Sequence, residues 1–78
     1  MELSIEEKWT DVLLGRFENM GCYVISSFQE GDAPDSGQHI IYQTPNGQLR
    51  HTIFRFQGLA EPKLLLDTPL MMIRPPRG

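Results

Sequence analysis

The sequence predicts an α+β fold in which one N-terminal amphipathic helix packs on a small antiparallel sheet of three to four strands, in the order α-β-β-β-β. Three observations predict it. Apolar residues near the N-terminus recur every three or four positions, the period of a helix. Two strand-like segments, residues 39–44 and 48–57, flank the turn sequence PNG at residues 45–47, which favours a hairpin. The remaining connections are too short for a crossover helix, so antiparallel pairing is expected.

The helix is expected over residues 5–20. Ser4 precedes it as an N-cap and Glu7 stands three positions later, which is the capping-box pattern. Gly21 stands where a left-handed residue usually ends a helix. The apolar stripe that would face the sheet consists of Ile5, Trp9, Val12, Leu13, Phe17 and Met20.

The first strand is predicted at residues 22–28, CYVISSF, because β-branched and aromatic side chains are concentrated there. Residues 29–38 combine Gly, Pro, Asp and Ser and predict a mobile loop. Asp32 and Asp35 in this loop could contribute to a calcium site, but the segment lacks the ligand spacing and terminal glutamate of an EF-hand. We therefore expect no metal and no other cofactor.

The register of the hairpin follows from its turn. If Thr44 lies opposite Gln48, then Tyr42 pairs with Arg50 and alternate residues share a face. One face then carries His39, Ile41, Leu49, His51 and Ile53, and the other carries Ile40, Tyr42, Arg50, Thr52, Phe54 and Phe56.

The C-terminal third contains a predicted turn at residues 59–62 and a further strand region at residues 63–73, KLLLDTPLMMI. That region is either one bent strand or two short strands separated by a corner at residues 67–69. Its apolar side chains either fold over one sheet face or extend the sheet and leave a patch exposed. We expect one domain over residues 1–73 and an extended tail at residues 74–78, RPPRG, because proline lacks the donor that a sheet ladder needs.

Charge is distributed unevenly along the 78 residues, whose net charge is −3. Residues 1–37 contain eight acidic and two basic side chains, whereas residues 38–78 contain two acidic and five basic ones. Solvated faces produce such splits by chance, and the alternative is a bipolar surface that orients the protein on a partner or on a second copy. The negative total disfavours a bulk nucleic-acid binder.

Compartment and targeting are read from the cysteine count and from the termini. The single cysteine, Cys22, excludes an internal disulfide and fits a reducing compartment, so we expect a soluble, cytoplasmic protein. The acidic, amphipathic N-terminus is unlike a signal peptide. The most apolar stretch is too short to cross a bilayer, so no membrane contact is expected.

Candidate catalytic groups are few. Cys22 follows the C-terminal end of the helix, where the dipole disfavours a thiolate, and a buried, inert residue is expected. His39 and His51 share a face and could be diagonal neighbours, but two imidazoles are an incomplete metal site and no acid stands at an obvious spacing to orient them. The sequence contains no glycine-rich phosphate loop, G-x-S-x-G or HExxH motif, and we expect no enzyme.

The predicted strands carry apolar side chains on both faces, whereas a sheet covered on one side normally alternates apolar and polar residues. One helix covers one face, so we expect the other to contact a protein partner or a second copy. The module would be non-catalytic and would serve as an inhibitor or regulatory adaptor of a larger complex. The predicted contact residues are Tyr42, Arg50, Phe54, Arg55 and Phe56.

Two alternatives remain open for these residues. Aromatic side chains flanked by arginines on a sheet also bind nucleic acid by stacking on the bases. In the other alternative, Phe54 and Phe56 are core residues and Arg50 lies at the edge of the sheet with its charge in solvent.

Overall fold

The computed structural model describes residues 3–31 and 36–70, and it confirms the predicted α+β fold. One helix precedes four strands that form a single antiparallel sheet in chain order. The elements are α1 (Ile5–Asn19), β1 (Tyr23–Glu30), β2 (Gly37–Gln43), β3 (Leu49–Gln57) and β4 (Ala60–Pro69). Within the described residues, no helix is long and apolar enough to cross a membrane.

The ends of α1 are fixed by the residues that the sequence indicated. The Ser4 side chain accepts a hydrogen bond of 3.1 Å from the backbone N–H of Glu7, which caps the first turn. At the other end Gly21 has φ +81°, and the Cys22 N–H donates to the Phe17 carbonyl at 3.0 Å. This left-handed glycine and the reversed hydrogen bond form a Schellman motif, which satisfies carbonyls that the helix leaves unpaired.

The strands on either side of residues 31–36 are longer than expected. The sequence placed the end of the first strand at Phe28, but β1 continues to Glu30, and β2 already begins at Gly37. Gln29 pairs with Gln38 and Glu30 with Gly37, so the ladder extends further toward the connection than the sequence predicted. Asp32 and Asp35, which we considered as calcium ligands but did not predict to bind metal, lie outside the described residues.

The β2–β3 hairpin has the predicted register. The Thr44 N–H donates to the Gln48 carbonyl at 2.8 Å, and Tyr42 pairs with Arg50. The Gly47 N–H donates to the Thr44 carbonyl at 2.9 Å, and Gly47 has φ +92°. Gly47 supplies the left-handed conformation in this turn, and no described residue other than glycine has a positive φ.

The last turn is shorter than predicted. Gln57 pairs with Ala60 across a two-residue turn in which Gly58 takes the first central position with φ +63°, the pattern of a type II′ turn. β4 is one continuous strand with two register irregularities against β3, so the single bent strand is confirmed. It extends the sheet at its edge. Residues 71–73 and the predicted tail at 74–78 lie outside the described residues.

The core is small and lies between α1 and one face of the sheet. Leu13 (1% exposed) and Phe17 of the helix pack against Ile40 (0%) and Tyr42, with the Phe17 and Tyr42 ring centres 4.4 Å apart. The predicted stripe is therefore only partly correct, because its outer members do not reach the core. Val12 and Met20 are exposed, whereas Leu14, outside the stripe, packs against the core.

Candidate functional site

The face that we expected to contact a partner is the one on which the helix packs. Tyr42 is 5% exposed and Phe56 is 3% exposed, while Phe54 is half-buried and packs against the core cluster. The alternative in which these phenylalanines are core residues therefore describes their burial better. Arg55 points to the opposite face by register and is exposed.

Arg50, the remaining predicted contact residue, is held at the edge of the covered face. Its Nε donates to Asp67 Oδ1 at 2.7 Å, and the Tyr42 hydroxyl donates to Asp67 Oδ2 at 2.7 Å. Asp67 of β4 thus connects all three later strands. Burial and the hydrogen bond to Asp67 raise the pKa of Tyr42, and the hydrogen bond to Asp67 raises the pKa of Arg50. The guanidinium is therefore an ion-pair partner within the chain, and its role in binding stays a prediction.

The opposite face of the sheet, which we call the open face, carries Phe28, His39, Ile41, Leu49, His51, Ile53 and Leu66. The predicted grouping of the β2 and β3 members of this set is confirmed by the register. None of these residues is fully buried: Phe28 (46% exposed) and Leu66 are exposed, and the other five are half-buried. Among the described residues the only helix packs on the other face, so no described element covers the open face.

Four side chains make a connected group at the centre of the open face. His39 Nδ1 lies 3.0 Å from His51 Nε2, and His39 Nε2 lies 2.9 Å from Glu30 Oε2. The Phe28 ring stacks on the His39 ring with centroids 4.7 Å apart and planes 10° from parallel. The predicted diagonal contact of the two histidines is therefore confirmed. Both ring nitrogens of His39 have a polar partner.

Glu30 is the functional candidate that sequence reasoning missed. We expected no acid to orient either imidazole, because the predicted first strand ended two residues before Glu30. The extra length of β1 places Glu30 on the same face as Phe28 and beside His39. The alternation of side chains along a strand could have indicated this position, since residues 28 and 30 share a face if the strand continues.

The donor and acceptor roles of the ring nitrogens depend on the tautomer of each imidazole. When His39 donates from Nε2 to the Glu30 carboxylate, its Nδ1 presents a lone pair, to which His51 Nε2–H donates. Within residues 3–31 and 36–70, no group of three or more His, Cys, Asp or Glu side chains is arranged to hold a metal ion.

A second surface feature is a cleft of about 460 Å³ between the N-terminal half of α1 and β1. Its floor is the buried Gln38 amide, which accepts a hydrogen bond from Thr10 Oγ1 at 3.0 Å and donates to Ser27 Oγ at 2.5 Å. These internal partners already satisfy the amide, so the cleft offers a ligand no unpaired polar group on this side chain.

Comparison of the chain with protein-family models, with curated proteins and with solved structures finds no match. The geometry of the described residues is therefore the basis for the function proposed below.

Proposed function

We propose that this protein is a non-catalytic protein-interaction module that binds a protein partner through the open face of its sheet. Such a module would act as an adaptor in a larger complex or as its inhibitor. The observation that supports the proposal is the unequal cover of the two faces. The helix packs on the face of Ile40 and Tyr42, while the face of Ile41 and Ile53 has apolar side chains and no described cover.

The composition of the open face favours a protein partner. An antiparallel sheet that stays in water on one side normally presents polar residues there. Here Ile41, Leu49, Ile53 and Leu66 occupy neighbouring positions on three adjacent strands. Apolar side chains interleaved with two imidazoles on an uncovered sheet face are typical of a contact surface, because burial of the apolar area is favourable by about 25 cal/mol per Å².

The group formed by Phe28, Glu30, His39 and His51 has the internal polar contacts that a surface needs if it is buried on binding. Burial of an unpaired polar group costs roughly 1–3 kcal/mol, so polar groups inside an interface need partners. His39 already has Glu30 and His51 as partners within the chain. We therefore assign these three side chains a positioning role, in which they hold each other and the Phe28 ring in place for the partner.

The positions of the aromatic residues favour a protein over a nucleic acid. Base stacking needs exposed rings, and Tyr42 and Phe56 lie on the covered face. The exposed rings, Tyr23 and Phe28, are both on β1, and Glu30 follows them with an acidic charge. A contact with phosphates would also weaken steeply as salt increases, whereas an apolar contact barely responds.

Site-specific photo-crosslinking tests the proposal without knowledge of the partner. A photoreactive amino acid is introduced at Ile41 on the open face, and in a matched variant at Val12, which is exposed on the helix. We expect covalent protein adducts from position 41 in native lysate and few from position 12. Equal or absent adduct formation at the two positions would overturn the proposal. Circular dichroism of both variants checks that they are folded.

A further inference from the structure

We infer that the partner of the open face is a second copy of this chain, packed face to face about a two-fold axis that runs parallel to the strands. This inference rests on the proposed function and names its partner. The supporting observation is the order of charged and apolar side chains across the four strands of the open face. Isologous two-fold contacts are the commonest way in which identical chains associate.

The register divides the open face into rows that run across the four strands. These rows include the charged and small polar residues that surround the apolar and imidazole side chains named above. The first row begins with Glu30 on β1, crosses Gly37 and Arg55, and ends with Lys63 on β4. It is therefore acidic at one edge of the sheet and basic at the other.

The second row contains Phe28, His39, Ile53 and Leu66, and the third contains Ser26, Ile41, His51 and Thr68. Apolar side chains and imidazoles thus occupy the middle of the face. The small polar side chains of the third row lie at its two edges.

Rotation by 180° about an axis parallel to the strands keeps each row in place and exchanges its ends. β1 then lies over the partner copy's β4, and β2 lies over the partner copy's β3. Glu30 of each copy faces Lys63 of the other, so two opposite-charge pairs form per dimer. Ser26 faces Thr68 in the same way, and Phe28 faces Leu66.

The centre of this arrangement places each imidazole against an aliphatic side chain. His39 faces Ile53 of the other copy, and His51 faces Ile41. On association the two imidazoles keep their contact with each other, and His39 keeps its contact with Glu30, within their own chain. Two sheets packed with aligned strands are the arrangement of a β-sandwich.

The second possible two-fold axis, perpendicular to the strands within the interface, gives no such match. It would place the first row over the opposite end of the sheet, where Tyr23, Gln43 and Leu49 lie. Glu30 and Lys63 would then each face an uncharged side chain. The charge order of the first row therefore selects the axis parallel to the strands.

The size of the face sets the expected strength of the contact. Four strands at about 4.8 Å spacing and seven residues at about 3.4 Å rise give a flat footprint of about 450 Å². Because side chains project from the sheet, the accessible area that each copy buries is larger than the flat footprint. It approaches the ~800 Å² that each partner contributes to a standard interface. The footprint places the dimer at the small end of that range, and we expect it to dissociate at micromolar concentrations.

Charge reversal and complementation test the geometry. Sedimentation equilibrium of the full chain should show twice the 8.9 kDa chain mass at about 100 µM, a concentration above the micromolar range expected from the footprint. Glu30→Lys and Lys63→Glu each create two like-charge contacts per dimer and should weaken self-association at least tenfold. An equimolar mixture of the two variants should form a heterodimer, because each reversed residue then faces an opposite charge.

Glu18→Lys provides the matched control, because it makes the same charge change on the exposed end of the helix. It should leave the dimer affinity within twofold of the wild type. Failure of the two reversed variants to complement each other would overturn the two-fold arrangement. A wild-type chain that stays monomeric, while position 41 crosslinks to a different protein, would overturn self-association and leave the proposed function standing. A monomer without specific adducts would overturn both.

Discussion

Two adjacent isoleucines provide an internal comparison of the two sheet faces. Ile40 is 0% exposed beneath α1, and Ile41 is half-buried on the open face. Both lie on the same central strand, and both have ladder partners on each side. The substitutions Ile40→Ala and Ile41→Ala therefore remove the same three carbons from the same strand. Ile40→Ala removes them from the covered face, and Ile41→Ala removes them from the open face.

The expected costs differ severalfold. Ile40→Ala removes three buried carbons and leaves a cavity, which typically costs 2–5 kcal/mol, and a domain of this size has roughly 4–12 kcal/mol in total. Ile41→Ala leaves no cavity in the single chain. It removes part of the transfer free energy of a half-buried side chain, ~1 kcal/mol. The lower strand propensity of alanine adds a similar free energy. We expect a difference of about 2 kcal/mol or more between the variants.

Urea unfolding monitored by the fluorescence of Trp9, the one tryptophan, measures both costs. At low micromolar concentration the Ile40→Ala midpoint should fall well below that of Ile41→Ala. At higher concentration the cost of Ile41→Ala should grow, since the dimer buries that side chain. Equal costs at low concentration would refute the reasoning, because they would mean that the open face is covered in the single chain.

Three further substitutions test the local structure. Tyr42→Phe should cost about 1–3 kcal/mol at neutral pH, because it removes the hydrogen bond to Asp67. Burial and that bond raise the pKa of Tyr42, so its contribution is fully present below pH ~10 and declines as the pH rises further, and the wild type should approach the variant there. Ser4→Ala should cost about 1 kcal/mol by removal of the N-cap. Gly21→Ala should cost roughly 1–2 kcal/mol, because a residue with a Cβ is strained at φ +81°, whereas the added Cβ itself would only be in van der Waals contact with Pro45. Urea titrations at matched protein concentration measure all three.

Each of these substitutions has an outcome that contradicts its explanation. A difference between Tyr42→Phe and the wild type that stays constant from pH 8 to 11 would mean that the hydroxyl does not titrate as burial requires. A neutral Ser4→Ala would mean that the first turn is capped in another way. A stabilising Gly21→Ala would mean that the helix does not end in the left-handed conformation.

The elements of this fold could be predicted because each one depends on local chemistry. The Ser4 cap, the left-handed Gly21 and the PNG turn specify their own backbone, and the observed bounds agree within two residues for α1 and the β2–β3 hairpin. The end of β1 and the start of β4 were placed less well. The pairing of Gln29 with Gln38 and of Gln57 with Ala60 decides both positions, and such pairs are tertiary contacts rather than residue preferences.

The alternation of apolar residues along the strands did not identify the face of the sheet that the helix covers. The face of Ile40 and Tyr42 and the face of Ile41 and Ile53 are both apolar, so alternation alone does not say which one the helix covers. The helix packs Phe17 against Tyr42, which closes the aromatic face and leaves the histidine face open. The sequence predicted that one face would lack cover, but it assigned the contact to the face of Tyr42 and Phe56, which is the face that the helix covers.

The proposed dimer requires an open face that is bare in one chain and covered in a pair. Isoleucine methyl relaxation caused by a small neutral paramagnetic agent in solution measures this directly, residue by residue, as the protein concentration is varied. We predict strong relaxation of the Ile41 and Ile53 methyl groups in dilute solution, its loss as dimers form, and weak relaxation of Ile40 throughout. Protection of Ile41 and Ile53 at every concentration would contradict the bare face, and exposure at every concentration would contradict the paired one.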